Sequence, residues 1–142
     1  MKAKLFLVVS IVLLITSCAS APGARFNKDI HLTLPGDDLT QVVVYRYKQY
    51  AGSADTTEII DNDVSKGNIV NGGFIVYKTE PKAHRIHTKT AGIDKAVTIE
   101  LEPNQTYYFR ADFQPSWIGF WRLSAIHPQQ ALSELSNIRS MQ

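Results

Sequence analysis

Four histidines, His31, His84, His87 and His127, one thiol, Cys18, and the acidic stretch at Asp61 to Asp63 are the side chains of this 142-residue chain whose chemistry could go beyond packing. A metal ion needs ligands that converge from one face. His84 and His87 fall in Ala83 to Lys89, which reads as a strand, and a separation of three places them on opposite faces of a sheet. His127 abuts Pro128 and reads as a strand end or a helix cap. The run DNDVSKG, Asp61 to Gly67, sets Asp61, Asp63 and Ser65 at alternate positions, as in a calcium loop. Its sixth position is Lys66 instead of glycine and its twelfth is Gly72 instead of glutamate, so a polar hairpin turn is the plainer reading. No G-x-S-x-G, phosphate loop or H-E-x-x-H occurs. The residues point to no catalytic group, no metal and no cofactor, and the chain reads as a non-enzyme.

Recognition is the other chemistry to weigh. Both tryptophans fall in QPSWIGFW, Gln114 to Trp121, around Gly119 and just after Pro115 interrupts a strand pattern. Trp117 and Trp121 share even spacing, so one reading packs both inward as core aromatics of a last hairpin, which the strand preference of aromatic residues favours. The other reading makes Trp117 and Phe120 an exposed tip that docks on a partner, a glycan or a membrane interface. A third arrangement uses Trp117 and Trp121 as a stacking platform for carbohydrate or peptidoglycan.

The thiol has a different context. Lys2 and Lys4 precede an apolar run, Leu5 to Ile15, and the small polar Thr16 and Ser17 precede Cys18. That is the layout of a secretory signal, and the run is too short to span a bilayer as a helix. Ile15-Thr16-Ser17-Cys18 resembles the lipobox of bacterial lipoproteins, in which the cysteine is alkylated by diacylglycerol and the signal is cut just before it. The resemblance implies that residues 1–17 are a signal peptide and that acylated Cys18 begins the mature chain. Several acyl chains make a stable anchor where one does not. Ala19, standing where aspartate would mark retention in the inner membrane, implies the outer membrane of a bacterial envelope, with the protein facing the periplasm. Loss of Lys2 and Lys4 leaves thirteen basic residues against thirteen acidic ones, which gives no basic field for nucleic acid. Residues 18–29 then read as the acylated cysteine and a breaker-rich tether with a reach on the order of 20 Å, and 30–142 as one domain. The expected partners are the membrane and another protein of the envelope.

From Ile30 onward the pattern is strand after strand. AVTIELE puts Val97, Ile99 and Leu101 on one face and Thr98, Glu100 and Glu102 on the other. TYYFRADF turns Tyr107, Phe109, Ala111 and Phe113 inward and Tyr108, Arg110 and Asp112 outward. Gln41 to Gln49, Thr57 to Asp61, Gly73 to Thr79, Ala83 to Lys89 and Ile118 to Ile126 complete the set, with breakers such as Asn71-Gly72-Gly73 and Pro103-Asn104 between them. The expectation is an all-β, immunoglobulin- or transthyretin-like antiparallel β-sandwich of about seven or eight strands. Pro128 suits a first helical position, and Ala131, Leu132, Leu135 and Ile138 share a face, so a short C-terminal helix should dock on the sandwich.

VYRY at Val44 to Tyr47, GSA at Gly52 to Ala54, NGGF at Asn71 to Phe74, PKAHRI at Pro81 to Ile86 and PNQTYYF at Pro103 to Phe109 carry a resemblance. In order and spacing they are similar to a family of small bacterial lipoproteins catalogued only as a domain of unknown function, in the style of PEGA-like surface domains. It covers about residues 40–138. Lys82 and Asn104 stand where the family usually places glycine. The resemblance implies the sandwich fold and the lipid anchor, and it implies no activity and no catalytic residue.

Overall fold

The computed structural model describes residues 21–33, 35, 36 and 38–141; Cys18 and the expected signal segment lie outside them. The strands are β1 (Thr40–Tyr45), β2 (Thr57–Asp61), β3 (Val64–Ile69), β4 (Gly73–Thr79), β5 (Ala83–Thr88), β6 (Val97–Glu100), β7 (Thr106–Gln114), β8 (Phe120–Ile126) and β9 (Arg139–Ser140). Two short helices, α1 (Lys28–His31) and α2 (Pro128–Leu135), join them.

Every residue of β1 is buried, which requires cover on both faces. Val42 and Val44 face the sandwich core with Ile59, Ile69, Ile86, Phe109 and Leu123. Val43 and Tyr45 face the other way, against Ala131 and Leu135 of α2 and Ile138 beyond it. The result is three layers: α2, a five-stranded sheet in the order β8-β7-β1-β4-β9, and a four-stranded sheet in the order β3-β2-β5-β6. The expected β-sandwich with a docked C-terminal helix is thus the fold, with nine strands among the described residues. Two pairings, β1 with β7 and β4 with β9, are parallel. Parallel neighbours need a long crossover, and the chain supplies it by building the second sheet between β1 and β7 and by laying α2 between β4 and β9.

Three local expectations change. The stretch read as a polar hairpin turn does turn at Asn62 and Asp63, both at positive φ (46° and 65°), but it also holds the end of β2 and the first residues of β3. Two successive left-handed residues are what a two-residue hairpin requires. β3 is an edge strand with only Ile69 buried, so it lacks the apolar alternation that marks a strand in sequence. Tyr108, expected outward, is buried because α2 covers that face. Finally, from Ala21 onward the segment read as a tether is held to the domain. The Gly23 N–H donates to the Ser140 carbonyl at 2.9 Å, the Ser140 N–H to Ala24 at 2.8 Å and the Phe26 N–H to Ile138 at 2.7 Å. Phe26 packs edge-on against Phe74, 5.3 Å between ring centroids, and the Asn27 side chain caps α1 by accepting from the Asp29 N–H. The open side of β9 takes this partner through main-chain groups, which leave no side-chain signature.

Candidate interaction site

The β7–β8 hairpin is long, with seven paired positions from Tyr108–Ile126 to Gln114–Phe120. Beyond the last pair, Pro115 ends the ladder and the chain turns at Ser116 to Gly119, where the Gly119 N–H donates to the Ser116 carbonyl at 3.2 Å. Gly119 has φ +57°, and a Cβ there would sit 2.5 Å from the Phe113 ring. Only glycine meets both conditions. The turn throws Trp117 and Ile118 fully into solvent, at 104% and 93% relative exposure, and leaves Phe120 half exposed at 49%.

Beneath the tip the aromatics are locked. Trp121 is 4% exposed and packs edge-on against Phe113 at 5.6 Å. The Arg46 guanidinium lies over the Trp121 ring at 4.7 Å, and its two terminal nitrogens donate to the carbonyls of Gly52 and Asp55, each at 2.6 Å. Arg46 is fully buried; desolvation lowers its pKa from the ordinary value, and the nearby Asp55 charge opposes that. The cation therefore pins the Tyr47-to-Thr56 loop to the hairpin base, and the Gly52 backbone closes on the Phe113 ring. The hairpin is thus packed up to the Ser116-to-Gly119 turn, which lessens the backbone entropy lost when a partner binds the tip.

The sequence-predicted residues thus separate. Trp117 and Phe120 form an exposed tip, while Trp121 is a core residue, which corrects the reading of all three as contacts and removes half of a Trp117/Trp121 stacking platform. Even spacing misled because Pro115 ends β7 before Trp117 and the turn at Gly119 comes before Trp121, so only Trp121 lies in the ladder. Cys18 lies outside the described residues.

Two polar clusters were not legible in the sequence. In the first, His84 Nδ1 is 2.6 Å from Asp61 Oδ1, His84 Nε2 is 2.9 Å from the Glu80 carbonyl, and the Tyr77 hydroxyl donates to Asp61 Oδ2 at 3.0 Å. Asp61 and His84 are each 2% exposed. Both imidazole nitrogens are engaged and the ring is sealed, so the pair ties β2 to β5 and to the Glu80 turn. Burial, and then the Asp61 charge and hydrogen bond, push the Tyr77 phenol far above its usual range. The signal was faint: Asp61 continues the inward register of Thr57 and Ile59, and His84 that of Ile86. Asp61, Asp63 and Ser65 do not converge. Asp63 is exposed, 3.9 Å from Arg85, and Ser65 bonds to Glu58.

In the second cluster, Arg110 Nη1 donates to both Glu134 oxygens, at 2.9 and 3.1 Å, and its Nε to Asp112 at 2.9 Å. The Tyr45 hydroxyl and the Gln130 amide also donate to Glu134, at 2.5 and 2.9 Å. Burial alone would raise the Glu134 pKa, but these hydrogen bonds and the Arg110 charge hold it below the usual carboxylate range. This network fastens α2 to β1 and β7. His87 is buried with Nδ1 near the Thr88 carbonyl, His31 lies against Phe74, and His127 stands exposed at the N-cap of α2. Among the described residues, no group of three or more His, Cys, Asp or Glu is placed to hold a metal ion. Compared with protein-family models, with curated proteins and with solved structures, the chain matches none.

Proposed function

We propose that this protein is a lipoprotein of the bacterial envelope, held at the outer membrane by acyl chains on Cys18 and facing the periplasm, and that it works as a non-enzymatic protein-interaction module. The family resembled by VYRY, NGGF and PNQTYYF supports the anchored sandwich. The observation that carries the interaction reading is the solvent exposure of Trp117 and Ile118 on a hairpin whose base is locked by Arg46, Phe113 and Trp121. A tryptophan covers about 150–250 Å² when buried, about 4–6 kcal/mol in gross transfer energy at 25 cal/mol per Å². Few exposed positions have as much to gain from a partner, and tryptophan is a frequent binding hot spot.

The test is a crosslinking pull-down from detergent-solubilised membranes, with the native chain beside a Trp117→Ala/Ile118→Ser variant. A discrete partner captured by the native chain and lost from the variant is expected. Equal capture by both, or capture by neither, removes the tip from the function.

A further inference from the structure

Strand directions place the first described residue, Ala21, and the tip at opposite corners. β7 runs toward the tip, parallel to β1, while β4 and β9 run the other way. Residues 21–26 lie antiparallel to β9, so the chain traced backward from Phe26 to Ala21 travels away from the tip end. This segment flanks β9, at the edge of the sheet opposite β8. Five strand spacings of about 4.8 Å set the two edges about 24 Å apart. Ala21 is itself buried, and three peptide units from Cys18 to Ala21 reach at most about 11 Å. A bilayer holding Cys18 therefore meets the β9 edge at the end remote from Trp117, and the tip points away from it.

Beside the tip is a groove of about 470 Å³ between the two sheets, walled by Thr90, Ala91 and Lys95 on one side and by Phe120, Arg122 and Leu123 on the other. Its volume falls within the range of ligand-binding clefts. Its charged lining residues are Lys95 and Arg122, and no carboxylate lines it. Among the described residues β8, which forms one wall, is an edge strand paired only with β7. An edge strand accepts an added strand through main-chain hydrogen bonds, and alternate side chains of the added strand then fill neighbouring pockets.

Resting on the interaction-module reading, we propose that the groove and the β8 edge bind an extended segment of another envelope protein. Alternate side chains of that segment point to opposite faces: apolar ones enter the groove beside Leu123, and a carboxylate on the other face meets Arg122, which shares the outer face of β8 with Phe120. The anchoring geometry selects a partner across from the membrane that holds Cys18. The open β8 edge calls for an extended segment in place of a helix, and Ile118 lines the tip end of the groove.

The experiment places the photocrosslinker p-benzoylphenylalanine at position 120, and in a separate chain at position 66 on the opposite edge strand, in the full lipidated protein in its own cells. Mass spectrometry then maps the adducts. A single acidic-apolar segment attached at position 120 and absent at position 66 is expected. Arg122→Glu should lower its yield at least about tenfold, and exchange of the crosslinked segment's carboxylate for lysine should restore it. Adducts to lipid, to a second copy of this chain or to a segment without acidic residues overturn the proposal, as does a yield unmoved by Arg122→Glu. If a partner depends on Trp117 but position 120 yields no adduct, the interaction module stands and the groove assignment fails.

Discussion

Removing the His84 ring should expose how the sheet opposite the helix is held. His84→Ala leaves the Asp61 carboxylate, 2% exposed, with the Tyr77 hydroxyl as its remaining side-chain partner. Taking a hydrogen-bond partner from a buried carboxylate costs about 1–3 kcal/mol or more, and the cavity left by the ring brings the loss to about 3–5 kcal/mol. For a domain of this size that is a fall in Tm on the order of 10–20 °C. Part of the loss is the cavity left by the ring, and a second substitution separates the two. In the His84→Ala background, Asp61→Asn removes the buried charge while its amide oxygen still accepts from Tyr77, and should return about 2 kcal/mol although the cavity is unchanged. In the native background the same Asp61→Asn change should destabilise. Urea unfolding of the four chains gives the double-mutant cycle directly. A His84→Ala loss under about 1 kcal/mol, or additive effects of the two substitutions, would refute a tightly coupled Asp61–His84 pair.

Other outcomes follow from the same geometry. Arg46→Lys cannot serve the Gly52 and Asp55 carbonyls together while covering Trp121, so it should cost about 2–3 kcal/mol by urea unfolding. Gly119→Ala, at φ +57° and against Phe113, should cost about 1–3 kcal/mol in the same assay. Trp117→Ala should leave Tm unchanged and shift the tryptophan emission to the blue, since the remaining Trp121 is buried; iodide should quench the native chain strongly and the variant weakly. Glu134 titrates below its unfolded value, so its stabilising effect is present above the unfolded carboxylate pKa and is lost as pH falls through the lower folded value. Glu134→Gln should flatten that acid-side decline in a series of Tm measurements from pH 6 to 2.

The strands that pack on the core were legible because their apolar positions alternate. Val97, Ile99 and Leu101, or Phe109 and Ala111, face where the period of two sends them. β3 was not, because an edge strand with one buried residue carries no such period, and neither was the pairing of residues 21–26 with β9, which uses the main chain alone. Tyr108 shows the limit of reading one strand at a time, since what lies on its outer face depends on a helix twenty residues further on. In the site, the aromatic cluster was visible but its division was not. Pro115, which ends β7 before Trp117, and Gly119, which turns the chain before Trp121, set the two tryptophans apart, and the buried Arg46 that holds the base sits in sequence like any surface arginine.

The most direct test of the proposed anchored tip is photocrosslinking from position 117 itself in living cells, comparing the native chain with a Cys18→Ala form secreted through an ordinary signal. A discrete protein adduct from the native chain, lost or greatly reduced in the Cys18→Ala form, is expected. Equal adducts from both forms, or adducts only to phospholipid, would contradict it.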